Sequence, residues 1–296
     1  NTMSCMGAFG RLRDTVGVPL LPLMTVYDFF VKRALDQYFY NQYWQSSFLL
    51  VGTPSGVTLS PEGAQHGWKS DFQIPNQITW EPAFCKELDW IMADAIRRHL
   101  EDNNKGRSGV HIRCVTRGIE QKDWMRLLKT QHRFKSGLDS EQRLHPKDHP
   151  VEGGQPEDAI ASLSEDEILA TVRDEVLRGG YYLIDYRGYA GYEPGDNVVH
   201  IFAMGSLVTE AIAASKELLQ RGIYANVIVV TSSDLVAGNL ADQDNYSHLK
   251  QGLKVDSKLY LQPVKGESSQ AEELRTFSGR RIPIVSVHDG EPGLLD

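Results

Sequence analysis

The sequence predicts an α/β protein of two consecutive α/β domains, each with a mostly parallel sheet flanked by helices. Three observations carry that prediction. Short apolar runs of strand length, at 48–51, 198–203 and 226–231, alternate with longer stretches of helical periodicity. The run at 198–203, a helix at 207–220 closed by Gly222 and the run at 226–231 form one β-α-β unit, which should cross over right-handedly into a parallel pair. Between the two halves lies a stretch dominated by Lys, Arg, Asp, Glu, His and Pro, which reads as a linker. The resulting division is 1–121, a polar insert and linker at 122–175, and 176–296.

Composition narrows the classes. The chain has 296 residues, room for one large domain or two ordinary ones. Apolar residues make up 41% and charged residues 24%, an ordinary globular balance. The net charge of −8 lacks the basic footprint of a nucleic-acid binder, so no nucleic-acid partner is expected. No apolar run reaches the ~18 residues of a membrane span, and no charged-then-apolar leader opens the sequence. The expectation is therefore a cytoplasmic protein with no membrane partner. Cys5, Cys85 and Cys114 are odd in number and widely spaced, which suits reduced thiols better than a disulfide or a metal set. Asn1 stands where a start methionine would, and Asp296 stands where a further helix is due. The expectation from both is a piece of a longer chain.

In chain order, residues 1–16 read as the tail of a helix. A buried strand is expected over 18–26, provided Pro19 and Pro22 lie at its start. Asp28 then reads as an N-cap, because Phe30, Val31, Ala34, Leu35 and Tyr38 recur at helical spacing. Strands are expected at 48–52 and 74–79, and a helix from Pro82, where a missing N–H costs nothing. The alternating V-H-I-R-C-V at 110–115 is a further strand. Ser164 followed by Glu167 has the form of a capping box, with Ile168, Leu169, Val172, Val176 and Leu177 as the apolar face behind it. Residues 180–186 open the second unit, and 282–287 is its last strand.

Few residues carry chemistry. Tyr27, Phe29 and Phe30 sit where a strand gives way to a helix. Rings there suit a core, and their place at a strand end also suits a stack on a heteroaromatic ligand worth ~1 kcal/mol beyond area burial. Glu62 and His66 are four apart, so on a helical turn Glu62 would orient His66; a surface pair has the same spacing. G-T-P-S-G at 52–56 lacks the Lys-Ser/Thr of a phosphate loop. His145, Asp148 and His149 lie among prolines and read as solvated loop rather than a metal site. The turn sequences at 195–197 and 289–290 carry no metal role.

Together these stretches resemble the thiamine-diphosphate enzymes of the transketolase superfamily, closest to the homodimeric type of pyruvate dehydrogenase E1 component. M-T-V-Y-D-F-F-V-K-R-A-L-D-Q is similar to the family's strand–helix segment, whose aromatics bracket the cofactor's aminopyrimidine. G-T-P-S-G-V-T-L-S-P-E-G-A-Q-H is similar to the active-site loop of that subfamily, with its Glu and His. W-E-P-A-F-C-K-E-L and V-H-I-R-C-V-T-R-G-I-E-Q resemble later parts of the same pyrimidine-binding domain. I-F-A-M-G-S-L-V-T-E-A-I-A-A, N-V-I-V-V-T-S-S-D-L and I-V-S-V-H-D-G-E-P resemble the transketolase C-terminal domain.

The resemblance implies that Phe30, with Tyr27 beside it, holds the aminopyrimidine of thiamine diphosphate. It implies that His66 moves protons during decarboxylation of a 2-oxo acid such as pyruvate, with Glu62 holding it. It also implies a homodimer across the active site and an E2 lipoyl acyltransferase that takes the acyl group. The diphosphate and Mg2+ ligands, and the glutamate that activates the cofactor, fall outside these residues, so the isolated chain is expected to be inactive. A transketolase acting on sugar phosphates and a non-catalytic assembly or regulatory relative are the alternative readings.

Overall fold

The computed structural model describes residues 1–58, 76–101, 109–138, 143–145, 162–236 and 282–289. The chain opens with α1 (Thr2–Gly10) and α2 (Leu12–Val16), then β1 (Leu23–Val26). A 3-10 segment, Asp28–Ala34, leads into α3 (Leu35–Tyr43) and β2 (Phe48–Gly52). Then come β3 (Gln77–Trp80), α4 (Cys85–Leu100) and β4 (Gly109–Arg113). These four strands form one all-parallel sheet in the order β1-β2-β4-β3.

β2 is apolar throughout because both faces of the sheet are covered. Its pleat sends alternate side chains to opposite faces. Leu49 joins the main core, while Phe48 and Leu50 pack with Met3, Met6, Val31 and Tyr38 on the other face.

The second sheet follows α5 (Lys122–Leu128) and α6 (Glu165–Leu177). It comprises β5 (Gly180–Ile184), β6 (Val198–Ala203), β7 (Tyr224–Val230) and β8 (Ile284–Val287) in the order β5-β7-β6-β8. α7 (Val208–Gln220) makes the crossover from β6 to its parallel neighbour β7, and Gly222 at φ 76° ends it, as its sequence requires. α8 (Ser233–Val236) follows β7. β8 is parallel to β6, and β5 is antiparallel to β7. The α/β class and the mostly parallel sheets are as the sequence predicts. Among the described residues no helix is long and apolar enough to cross a membrane.

Several elements differ from the sequence reading. The expected strand over 18–26 is only Leu23–Val26, and it is an edge strand with Leu23 and Thr25 exposed rather than buried. Pro19 and Pro22 delay pairing because neither has an N–H to give to a ladder. Asp28 is no cap: the 3-10 segment has no side-chain cap bond, and the carboxylate turns inward. α4 begins at Cys85 rather than at Pro82, because buried Glu87 takes the Ala83 and Phe84 amides at 2.6 and 3.0 Å and ends the extended stretch there. The polar stretch is not uniformly a linker. Trp124, Leu127 and Leu128 of α5, with Phe134 of a 3-10 turn at His132–Phe134, are buried in the main core. The Ser164 capping box forms as expected, with Ser164 Oγ accepting from the Glu167 amide at 3.4 Å and Glu167 Oε2 accepting from the Ser164 amide at 3.0 Å.

Candidate active site

The carboxyl ends of the parallel strands in both sheets meet. In the first sheet Val26, Gly52 and Arg113 are in register, with Trp80 alongside Ile112. In the second, Ala203 of β6 pairs with Val287 of β8. Three bonds tie the two edges together. The Glu81 amide donates to the Thr231 carbonyl at 2.9 Å, the Thr79 amide to Asp234 Oδ2 at 2.6 Å, and the Val57 amide to Asp289 Oδ2 at 2.8 Å. Ligands of parallel α/β sheets sit beyond such strand ends.

Arg113 occupies the middle of this junction. Its Nε donates to Ser55 Oγ at 3.1 Å and lies 3.4 Å from Asp28 Oδ2. Nη1 donates to Glu81 Oε2, and Nη2 is 3.6 Å from Asp289 Oδ1. His111, two residues earlier and so on the same face of β4, donates from Nε2 to Asp28 Oδ1 at 3.1 Å. Asp28 reaches β4 only by passing over β2. Gly52 makes that possible, since a Cβ there would stand 2.1 Å from Asp28 Oδ1. A second glycine closes the other side: Gly205, at φ 53°, would bring a Cβ within 2.4 Å of Glu81 Oε1.

This cluster sets three carboxylates against one guanidinium and one imidazole, all buried. Protonation settles the imbalance. Burial opposes the charge of Asp28, but the His111 hydrogen bond and charge, the Arg113 charge and the Ser55 hydroxyl outweigh it and hold the carboxyl at about 2. Glu81 goes the other way. Burial pushes it up to about 8 against the pull of Arg113, with the charges of Asp289 and Asp28 adding to the rise. Burial thus favours the neutral form of Glu81, and Asp289 Oδ1 has no hydrogen-bond donor among the described residues.

Beside Asp28 stand the rings singled out in the sequence. Tyr27 and Phe30 have centroids 5.5 Å apart, and Phe29 lies 5.5 Å from Phe30. Phe29 is buried and anchors the group. Phe30 keeps 44% of its surface exposed, with the Arg33 guanidinium 4.6 Å from its centroid. Tyr27 and Phe30 therefore present ring surface fit for a planar heteroaromatic group, fixed by the ion cluster one residue away. Among the described residues no set of three or more His, Cys, Asp or Glu side chains is placed to hold a metal ion. Glu62 and His66 lie outside the described residues.

The sequence reading missed Arg113, His111, Glu81 and Asp289. One signal was available: a His and an Arg at alternate positions of a strand in a parallel sheet cannot face apolar surroundings unpaired, and so demand carboxylates at neighbouring strand ends.

No family model matches the chain. Its sequence is similar to the pyruvate dehydrogenase E1 component of Cupriavidus necator, 37% identical over 91 residues, which are 29% of this chain and 10% of that protein. The pyruvate dehydrogenase E1 component of Buchnera aphidicola is 34% identical over 91 residues, with the same shares covered. The match thus spans about a tenth of the length of these relatives. In structure the chain is similar to the transketolase of Leishmania mexicana, with a TM-score of 0.53 at 15% identity over 96% of this chain and 29% of that one. Campylobacter jejuni transketolase gives 0.50 at 13% identity, over 82% of this chain and 28% of the other. At such identities the likeness is one of fold. Sequence and fold point to the same place, and the thiamine-diphosphate-dependent transketolase superfamily is the group this chain resembles.

Proposed function

We propose that the chain is the pyrimidine-binding and C-terminal part of a 2-oxo acid dehydrogenase E1 component that acts on pyruvate with thiamine diphosphate and Mg2+. The observation that carries the reading is the exposed Phe30 ring with half-buried Tyr27 beside it at the end of β1, in a chain similar to pyruvate dehydrogenase E1. When bound, the cofactor supplies a carbon that adds to the 2-oxo group and accepts the electron pair left by CO2. Phe30 and Tyr27 hold its pyrimidine by stacking. Asp28, clamped by His111 and Arg113, fixes the backbone on which those rings ride. His66 moves a proton at the substrate oxygen, a task suited to a side chain that titrates near neutrality, and Glu62 orients it. The diphosphate and Mg2+ are held elsewhere, in a dimeric assembly, and the acyl group passes to a lipoyl-bearing E2 partner.

The test compares thiamine with thiamine diphosphate, each titrated into the 296-residue chain by calorimetry. If the chain supplies ring contacts alone, the two bind with equal, weak affinity, and Phe30→Ala abolishes both. A gain from the diphosphate would overturn the assignment of that half to other residues. Binding unaffected by Phe30→Ala would remove the ring site.

A further inference from the structure

A second cleft lies away from the strand ends, between α5, α7 and the connecting segment 114–121. It encloses about 390 Å³, within the range of small-molecule sites. Its floor is apolar and rigid. Phe84 and Trp124 pack at 5.8 Å and 31°, Trp90 lies 5.8 Å from Trp124 on another side, and Ile119, Leu127 and Ile212 complete the lining. The Trp124 indole cannot turn, because Nε1 donates to the Tyr181 hydroxyl at 2.7 Å and that hydroxyl donates to buried Glu87.

The charges on the rim decide what would fit. Asp123 and Arg126 neutralise each other at 2.8 Å, as do Arg117 and Glu210 just outside at 2.8 Å. Two rim charges remain. Among the described residues Lys216 on α7 has no ion-pair partner, and the Glu120 carboxylate accepts only from the Lys122 amide, at 3.1 Å. They line one cleft with opposite signs and do not pair with each other. A rim of this kind complements a small zwitterion whose third group is apolar.

We infer that this cleft binds a free α-amino acid with a branched or aromatic side chain. Its carboxylate lies toward Lys216, its ammonium toward Glu120 and its side chain over the Phe84–Trp124 floor. The inference is independent of the proposed chemistry at the strand ends and needs no cofactor.

The experiment titrates L-leucine and L-phenylalanine into the intact chain, reading tryptophan fluorescence and calorimetric heat. Saturable binding is expected from both. Lys216→Gln and Glu120→Gln, both exposed positions whose loss leaves the fold intact, should each weaken it about fivefold, the worth of an exposed charge pair. L-leucinamide, which lacks the carboxylate, should bind about fivefold more weakly than leucine and lose nothing further in Lys216→Gln. N-acetyl-L-leucine should show the same insensitivity toward Glu120→Gln. No saturable heat with either amino acid overturns the inference. So does leucinamide binding as well as leucine, because the site would then read only apolar bulk.

Discussion

Arg113 Nη2 and Asp289 Oδ1 lie 3.6 Å apart, the first on the last residue of β4 and the second just beyond β8. One guanidinium thereby joins the strand ends of two different sheets. A buried arginine that faces three carboxyl groups cannot be removed without leaving charge stranded in a dry site. Arg113→Met should therefore lower the unfolding free energy by about 3–5 kcal/mol in urea titrations at pH 7. Arg113→Lys should recover only part of this, since an ammonium lacks the fork that serves Ser55, Asp28 and Glu81 together. A loss below about 1 kcal/mol for Arg113→Met would show the cluster to be solvated.

Stability should fall as pH rises from 5 to 9. Burial lifts Glu81 from 4.5 to about 8, Glu87 from 4.5 to about 7 and Asp234 from 3.8 to about 7. Each binds its proton more tightly when folded. Its contribution is thus complete below the unfolded value and is lost as pH passes through the folded one. The slope reaches about 1.4 kcal/mol per pH unit for each proton involved. Asp28, held at about 2, works in the opposite sense and only in acid. Glu81→Gln should make the fall between about pH 5 and 8 shallower while leaving the Asp28 limb in place. Denaturant midpoints that climb between pH 5 and 8 would refute this assignment.

Tyr181 bridges the two halves more quietly. Its hydroxyl accepts from Trp124 Nε1 and donates to Glu87, all three being buried. Tyr181→Phe keeps the ring and strands two polar groups, each costing ~1–3 kcal/mol. The sum should appear as a drop of about 2–4 kcal/mol, with a shift in tryptophan emission as the indole loses its acceptor. Unchanged stability would mean that water takes the place of the hydroxyl.

Phe30→Ala and His66→Ala should fail in different ways in an active assembly that carries this chain. Loss of the Phe30 stack should weaken cofactor affinity roughly tenfold to a hundredfold and leave saturated turnover near normal. Loss of His66 should spare cofactor affinity and reduce turnover by ~10²–10⁴. Normal turnover in His66→Ala, measured at saturating cofactor, would remove that residue from the mechanism.

Much of the fold was legible because its signals are local. The β6–α7–β7 unit, β2, and the Ser164 box each announce themselves within a dozen residues through period, glycine or cap. The sequence overstates β1 because apolar residues around Pro19 and Pro22 look like strand until hydrogen-bond donors are counted. α5 is not legible in the sequence because Trp124, Leu127 and Leu128 are scattered among charges, and only their burial in the core reveals them. The ring pair Tyr27–Phe30 was visible as a local cluster. The ion cluster was not, because its members lie at positions 28, 55, 81, 111, 113 and 289 and no window contains more than two of them.

That same dispersal bears on how the protein is made. A ribosome releases the chain from its first residue onward, so Asp28, Arg113 and Glu81 emerge long before Asp289, which joins the Val57 amide across 232 positions. Contacts of such separation form late, since loop closure must come before any reward. During synthesis Arg113 faces its early carboxylates with one corner of the site open. The contacts of Asp289 with Val57 and Arg113 are therefore expected to be the last part of the junction to form.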